Sequence, residues 1–206
     1  MPFSHMINTK SGGALRNLVF HKPYGVLSKF TDAEGRPTLA DYVDVRHVYP
    51  AGRLDMHSEG LLLLTSDGEL AQKLTSPRYK VPKTYWVQIE RVPSEAALTQ
   101  LRHGVLVKGT RTRPARVELL SKEPSVHPRP VPIRFRKSVR TVWLRMEIQE
   151  GMNRQIRRMT AQVGHPTLRV IRVAIGPIQL GSLPPGHWRL LGERELKGLF
   201  QVEQVH

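Results

Sequence analysis

Cysteine is absent from all 206 residues. That excludes a disulfide scaffold, thiolate catalysis and zinc sites built on cysteine. A metal would have to be held by histidine and carboxylate, yet the nine histidines show no HExxH spacing and mostly stand singly in loops. They are read as surface or structural residues, and no metal is expected. Long apolar runs are missing too. The longest is Leu61–Leu64, far short of a membrane span, and the N-terminus lacks the apolar stretch of a secretory signal, so a cytoplasmic protein is expected. Acidic residues are scarce: 17 against 32 lysines and arginines, giving a formal charge of +15 and a pI near 10.8. Solubility does not require such an excess. Unless the charges are merely solvated, it implies a polyanionic partner, nucleic acid first.

What is present is an ordinary globular composition with a length that fits one domain. Residues 1–16 are polar, glycine-bearing and aperiodic, which predicts a mobile basic tail, with the folded domain spanning 17–206. Leu18-Val19-Phe20 reads as a strand ended by the turn Lys22-Pro23-Tyr24-Gly25. Pro37–Val43 suits a short helix, and Val48–Asp55 a strand running into a loop. Gly60–Thr65 lacks polar alternation, as in a strand covered on both faces. Asp67 is a fair N-cap for a helix from Gly68 to Leu74, and Ser94 for one ending at Gly104. Lys83–Glu90, Val105–Val107, Ala115–Leu120, Thr141–Gln149 and Leu168–Val173 read as strands, Asn153–Val163 as a helix closed by Gly164. Between them, Pro124, Pro128, Pro130 and Pro132 prevent regular pairing. Arg129, Arg134, Arg136, Lys137 and Arg140 make that stretch a long basic loop. Strands and helices mix without a βαβ repeat, so the expected fold is α+β: a mixed, largely antiparallel sheet with flanking helices.

Three constellations could carry chemistry. Gly52-Arg53-Leu54-Asp55 places an arginine and a carboxylate side by side in a loop between apolar strands, although an aspartate in a loop is more often a cap or turn residue. Pairing Asp55 with Glu59 as glycosidase carboxylates fits poorly with so basic a chain. In the helix, Ile156, Met159, Thr160 and Val163 share one stripe that must face the core. Arg154 and Arg158 then point away, free for phosphates, while Arg157 lies at the stripe's edge, partly buried and in need of a carboxylate, Asp55 being one by type. Tyr85 has the chemistry to stack on a base beside a basic groove, but taken alone it reads as half-buried sheet packing.

Taken in order, Lys22-Pro23-Tyr24-Gly25, Gly52-Arg53-Leu54-Asp55 with Glu59-Gly60-Leu61-Leu62-Leu63-Leu64-Thr65, Lys83-Thr84-Tyr85, and Glu150 to Met159 with its Asn153-Arg154-Gln155-Ile156-Arg157-Arg158 core resemble the RsuA-type pseudouridine synthases. The resemblance runs from about Leu18 to Arg189. It implies a pseudouridine synthase catalytic domain without an S4-like domain, isomerising a uridine of 23S ribosomal RNA, needing no cofactor and acting as a monomer. It also implies that Asp55 is the catalytic aspartate, that Tyr85 packs against the target base, and that Arg157 holds Asp55 in a salt bridge. Lys22, Arg53, Asn153, Arg154, Gln155 and Arg158 are then the candidates for RNA contact. Met56 and His57 depart from the polar or charged residues that usually follow the aspartate.

One ionised carboxylate suffices for detaching a uracil, turning it and rejoining it through carbon, whether it acts as nucleophile or as base. The target would be flipped out of its stack. Two rival readings remain at this point: a non-catalytic RNA-binding or ribosome-assembly protein on the same scaffold, and a glycosidase releasing free base from RNA. All readings with RNA require its affinity to fall steeply as salt is raised. A filter-binding titration against salt showing a shallow dependence would count against the basic footprint.

Overall fold

The computed structural model describes residues 15–133 and 138–201. Residues 1–14 of the expected tail and Arg134, Arg136 and Lys137 of the basic loop lie outside them. The elements run β1 (Asn17–Lys22), β2 (Tyr49–Pro50), β3 (Glu59–Thr65), α1 (Gly68–Thr75), β4 (Lys83–Glu90), α2 (Glu95–His103), β5 (Leu106–Val107), β6 (Thr110–Arg111), β7 (Arg116–Leu119), β8 (Thr141–Ile148), α3 (Gln155–Gln162), β9 (Thr167–Ile175), β10 (Ile178–Gln179), β11 (Trp188–Leu190) and α4 (Glu193–Gln201). Nine strands form one sheet in the order β11-β1-β3-β9-β4-β8-β7, with β10 on β9 and β2 on β3, while β5 and β6 make a separate ribbon. Among the described residues, only β3 and β9 run parallel within the large sheet. The mixed, largely antiparallel α+β architecture is the expected one, and the described residues build no separate S4-like domain.

The core divides between the two faces of the sheet because the central strands are apolar on both sides. On β3, Leu62 and Leu64 join Leu18, Phe20, Val87 and Met159 on the face covered by α2 and α3, whereas Leu61 and Leu63 join Val19, Leu70, Leu74 and Leu199 on the face covered by α1 and α4. Both expected N-caps form: Asp67 accepts from the backbone N–H of Glu69 and Leu70, and Ser94 from that of Ala97. Helix Pro37–Val43 is reduced to a single 3₁₀ turn at Leu39–Asp41, closed by a Thr38/Asp41 capping box. Val48–Asp55 is a strand running into a loop, as expected: it pairs with β3 at Tyr49–Pro50 and the rest is loop. Strand β11 and helix α4 lie in the glycine- and proline-rich end where no regular element was expected. No helix among the described residues is long and apolar enough to cross a membrane.

Two constraints fix the centre of the sheet. Gly60 of β3 sits opposite Arg172 of β9. With φ +105° and the Arg172 carbonyl oxygen 2.3 Å from where a Cβ would stand, only glycine fits there. Next to it, Glu59 receives a bidentate pair from Arg169, Nε to Oε2 at 2.8 Å and Nη2 to Oε1 at 2.7 Å, with both side chains buried. Arg169 Nη2 also donates to the His127 carbonyl, tying down the proline-rich stretch. Glu59 is therefore spent on structure and is no catalytic partner for Asp55.

Replacing either Glu59 or Arg169 alone by leucine should cost about 3–5 kcal/mol, because a buried charge loses its partner. Urea denaturation should show a lower midpoint for each single variant, and the double variant should recover most of the loss.

Candidate active site

Loop 51–58, between β2 and β3, carries Asp55, and its neighbours on both sides are pinned. Leu54 is buried, and its backbone N–H and carbonyl both bond to the Ser28 hydroxyl, at 3.1 and 2.8 Å. The Ser58 N–H closes a turn on the Asp55 carbonyl at 2.9 Å. The Met56 carbonyl accepts from the Gly25 N–H and from Lys22 Nζ, at 2.9 and 3.3 Å. The His57 carbonyl accepts from Arg157 Nη2 at 2.7 Å. Between these anchors the half-buried Asp55 carboxylate makes no hydrogen bond or ion pair among the described residues.

Asp55 opens into a cleft of about 1050 Å³ whose wall includes Tyr85, Lys83, Arg157 and Arg172, with Arg53 and Arg154 exposed at its rim. The acids on that wall are Asp55 and Glu150. Glu150 is already engaged, accepting from the Arg113 N–H and the Gln155 amide. A lone free carboxylate among cations in a concave site is suited to acting on a polyanionic substrate.

A family model described as RNA pseudouridylate synthase matches residues 16–162. The chain belongs to that family. Its relatives place it in the RsuA type: the ribosomal large subunit pseudouridine synthase E of Vibrio parahaemolyticus is 54% identical over 172 residues, covering 84% of this chain and 72% of that one. The synonymous protein of Xanthomonas campestris is 53% identical over 182 residues, covering 87% and 97%. A crystal structure titled as a pseudouridylate synthase superimposes with a TM-score of 0.75 at 29% identity, over 90% of this chain and 74% of that one. The enzyme is thus an isomerase built on this sheet.

The structure separates the expected site residues into groups. Asp55, Tyr85, Arg157, Arg53, Asn153, Arg154 and Gln155 all line the cleft, and Lys22 and Arg158 do not. Lys22 is fully buried, with Nζ donating to the carbonyls of Pro23, Val26 and Met56 at 2.8, 2.7 and 3.3 Å. It is a strut beneath the Asp55 loop rather than an RNA contact. Burial brings its pKa down to about 7, against the pull of Glu59 and Asp55. Gln155 is buried as well, accepting from the Met152 N–H and donating to Glu150, so its amide shapes the turn into α3. Arg158 is bonded to the Asn153 side chain at 2.7 Å.

Helix α3 starts at Gln155 and not at Asn153, because Arg154 is left-handed, φ 51° and ψ 34°. The wheel holds for Ile156, Met159 and Thr160, which are buried, and for Val163, which packs against them. The salt bridge expected between Arg157 and Asp55 is not formed. Arg157 instead donates to two main-chain carbonyls, Thr167 at 3.1 Å and His57 at 2.7 Å, and its buried Nε has no partner. Burial lowers its pKa, Arg154 adds to the shift, and the nearby charge of Asp55 opposes it. The guanidinium is spent on holding two segments of backbone, one of which follows Asp55.

Three features escaped the sequence reading. Lys83 and Arg172 stand in the cleft wall without an acidic partner among the described residues. The proline-rich stretch is docked, not free: Trp143 Nε1 bonds Glu123, and the Arg129 guanidinium lies 4.2 Å from the centre of the Tyr24 ring. Tyr24 in turn stacks on His57 at 5.2 Å, which links that stretch to the Asp55 loop. Charged residues inside a central strand were the one available signal for Arg172.

Burial, reinforced by Arg172, brings the Lys83 pKa down to about 8. Its charge is present below that value and lost above it. RNA affinity should therefore fall about fivefold as pH rises from 7 to 9. In Lys83→Met the affinity should already be weak at pH 7 and show no such step, as measured by fluorescence anisotropy.

Proposed function

We propose that this enzyme converts a specific uridine of 23S ribosomal RNA to pseudouridine, with Asp55 as the catalytic carboxylate and the target base flipped into the cleft against Tyr85. The observation that carries the reading is the isolation of Asp55. In a cleft where Glu150 is engaged, and beside Glu59, which is locked to Arg169, the Asp55 carboxylate alone has both oxygens free. The ribosomal RNA substrate rests on the names borne by the relatives at 53–54% identity.

The duties divide by depth. Exposed Arg53 and Arg154 at the rim meet phosphates, whose many contacts offset the cost of unstacking the uridine. Tyr85, only 8% exposed and packed in the sheet, offers a ring edge and face whose position the core fixes. Asp55 then attacks the sugar or base as a nucleophile, or takes a sugar proton as a base. Arg157 acts as a positioning residue: by holding the His57 carbonyl it keeps the loop, and with it the carboxylate, in place.

The test is pseudouridine mapping of 23S RNA from cells lacking the protein, complemented with wild type or Asp55→Ala. One uridine should lose its modification and regain it only with wild type, while Asp55→Asn in vitro should keep RNA affinity within about threefold and lose turnover. If no site changes, or if Asp55→Ala restores it, the assignment fails and a non-catalytic role in ribosome assembly takes its place. Release of free uracil by wild type would instead mark a glycosidase.

A further inference from the structure

Arg172 is 5% exposed, yet among the described residues no carboxylate pairs with it. Its Nε donates to the Leu61 carbonyl at 2.7 Å, while among those residues its buried Nη2 has no partner and its Nη1 makes no hydrogen bond. The contrast with Arg169 on the same strand, saturated by Glu59 and the His127 carbonyl, is sharp. A guanidinium this deeply placed is ordinarily satisfied, since leaving buried charged donors unmade is costly. Arg172 lines the cleft. Its free donors are therefore provided for something that enters.

Position decides what that is. Arg172 and Tyr85 are opposite partners on the antiparallel strands β9 and β4, so both side chains stand on the same face of the sheet. Arg53 and Arg154 are exposed and suited to phosphates, whereas Tyr85 and Arg172 are the buried part of the lining. On the functional reading above, the group that reaches that buried part is the flipped base. Uracil offers two carbonyl oxygens and, once detached, a negative charge delocalised onto them.

We infer that Arg172 is a further catalytic residue that grips the uracil ring, its guanidinium donating to a ring carbonyl oxygen and stabilising the charge that gathers there when the glycosidic bond breaks. This rests on the pseudouridine reading of the cleft. The electron pair of the C1′–N1 bond leaves with the ring and spreads to O2 and O4. Turning uracil about its N3–C6 axis exchanges N1 with C5 and, in the same movement, O2 with O4. A donor that held one oxygen before the turn meets the other after it. C5 then bonds to C1′, the C5 proton is lost and N1 gains one, so the composition is unchanged and Arg172 remains protonated throughout. Arginine suits the task because it keeps its charge at any working pH and offers donors in a fixed plane. The aim is the one served by an oxyanion hole, with donors fixed where charge develops.

The experiment compares wild type, Arg172→Gln and Arg172→Lys on an RNA carrying the uridine found by the mapping above. Single-turnover rates and product analysis are read on these proteins, and RNA affinity is read with Asp55→Asn added to each. Both Arg172 variants should lose on the order of 10²–10³-fold in rate, as when one oxyanion donor is removed. Affinity should stay within about threefold, and free uracil with an abasic site should appear as the loosened ring escapes. Should Arg172→Gln fail to fold, Arg172→Lys decides, since its ammonium retains a donor for the Leu61 carbonyl. A folded variant with a rate within about threefold of wild type, or a rate loss matched by lost affinity, overturns the inference. An active wild type beside indifferent Arg172 variants sinks this inference alone. A wild type that leaves every uridine unchanged sinks the functional reading and this inference together.

Discussion

The contact between Gly60 and Arg172 organises the molecule. Strands β3 and β9 run parallel, through the two register pairs Glu59–Ile171 and Gly60–Arg172. That join unites the antiparallel ribbon of β11, β1 and β3 with the ribbon of β9, β4, β8 and β7. Its tightness leaves no room for a side chain at residue 60, and the Glu59–Arg169 pair beside it closes the seam on the other face. Across it runs one transverse row, Lys22 opposite Gly60, Gly60 opposite Arg172, Arg172 opposite Tyr85. That stretch of the cleft wall is thus a by-product of how two half-sheets meet, at a place where residue 60 has no room for a side chain.

The electrostatics of the site follow from that row. Three cations, Lys22, Lys83 and Arg172, are drawn into low-dielectric surroundings, and burial is the leading cause of the lowered pKa of both lysines. Each is handled differently. Lys22 is satisfied by carbonyls and serves the loop, Lys83 is half-exposed, and Arg172 is buried with donors to spare. Such an excess of positive charge around one free carboxylate is a pattern characteristic of functional sites, and the polyanionic substrate proposed above would relieve it.

Much of this was legible beforehand. The unbroken Leu61–Leu64 run announced a strand covered on both faces, Asp67 and Ser94 marked their helices, and the ordered motifs brought Asp55, Tyr85 and Arg157 to one cleft. What failed did so for local physical reasons. Lys22 was placed among the RNA contacts with its motif, and nothing in four residues reveals that its Nζ turns inward to the carbonyls of Pro23 and Val26 close by and of Met56 further along the chain. Asn153 and Arg154 continue the helical pattern in composition, while the left-handed backbone at Arg154 excludes them from it. Helix α4 hid behind the glycines and prolines that precede it. The partner of Arg157 was sought among side chains, when the chain supplies main-chain carbonyls instead.

That last substitution of partner has an evolutionary consequence. A carbonyl is present whatever residue occupies position 57, so the bond from Arg157 that steadies the loop is indifferent to the side chain there. Position 57, exposed beside Asp55, thereby does not hold the loop to Arg157 through its side chain, whose ring serves only the stack on Tyr24. Its side chain can be exchanged to suit a different RNA neighbourhood while the carboxylate two positions earlier stays where it was. Anchoring by backbone separates the choice of side chain at position 57 from the placing of Asp55.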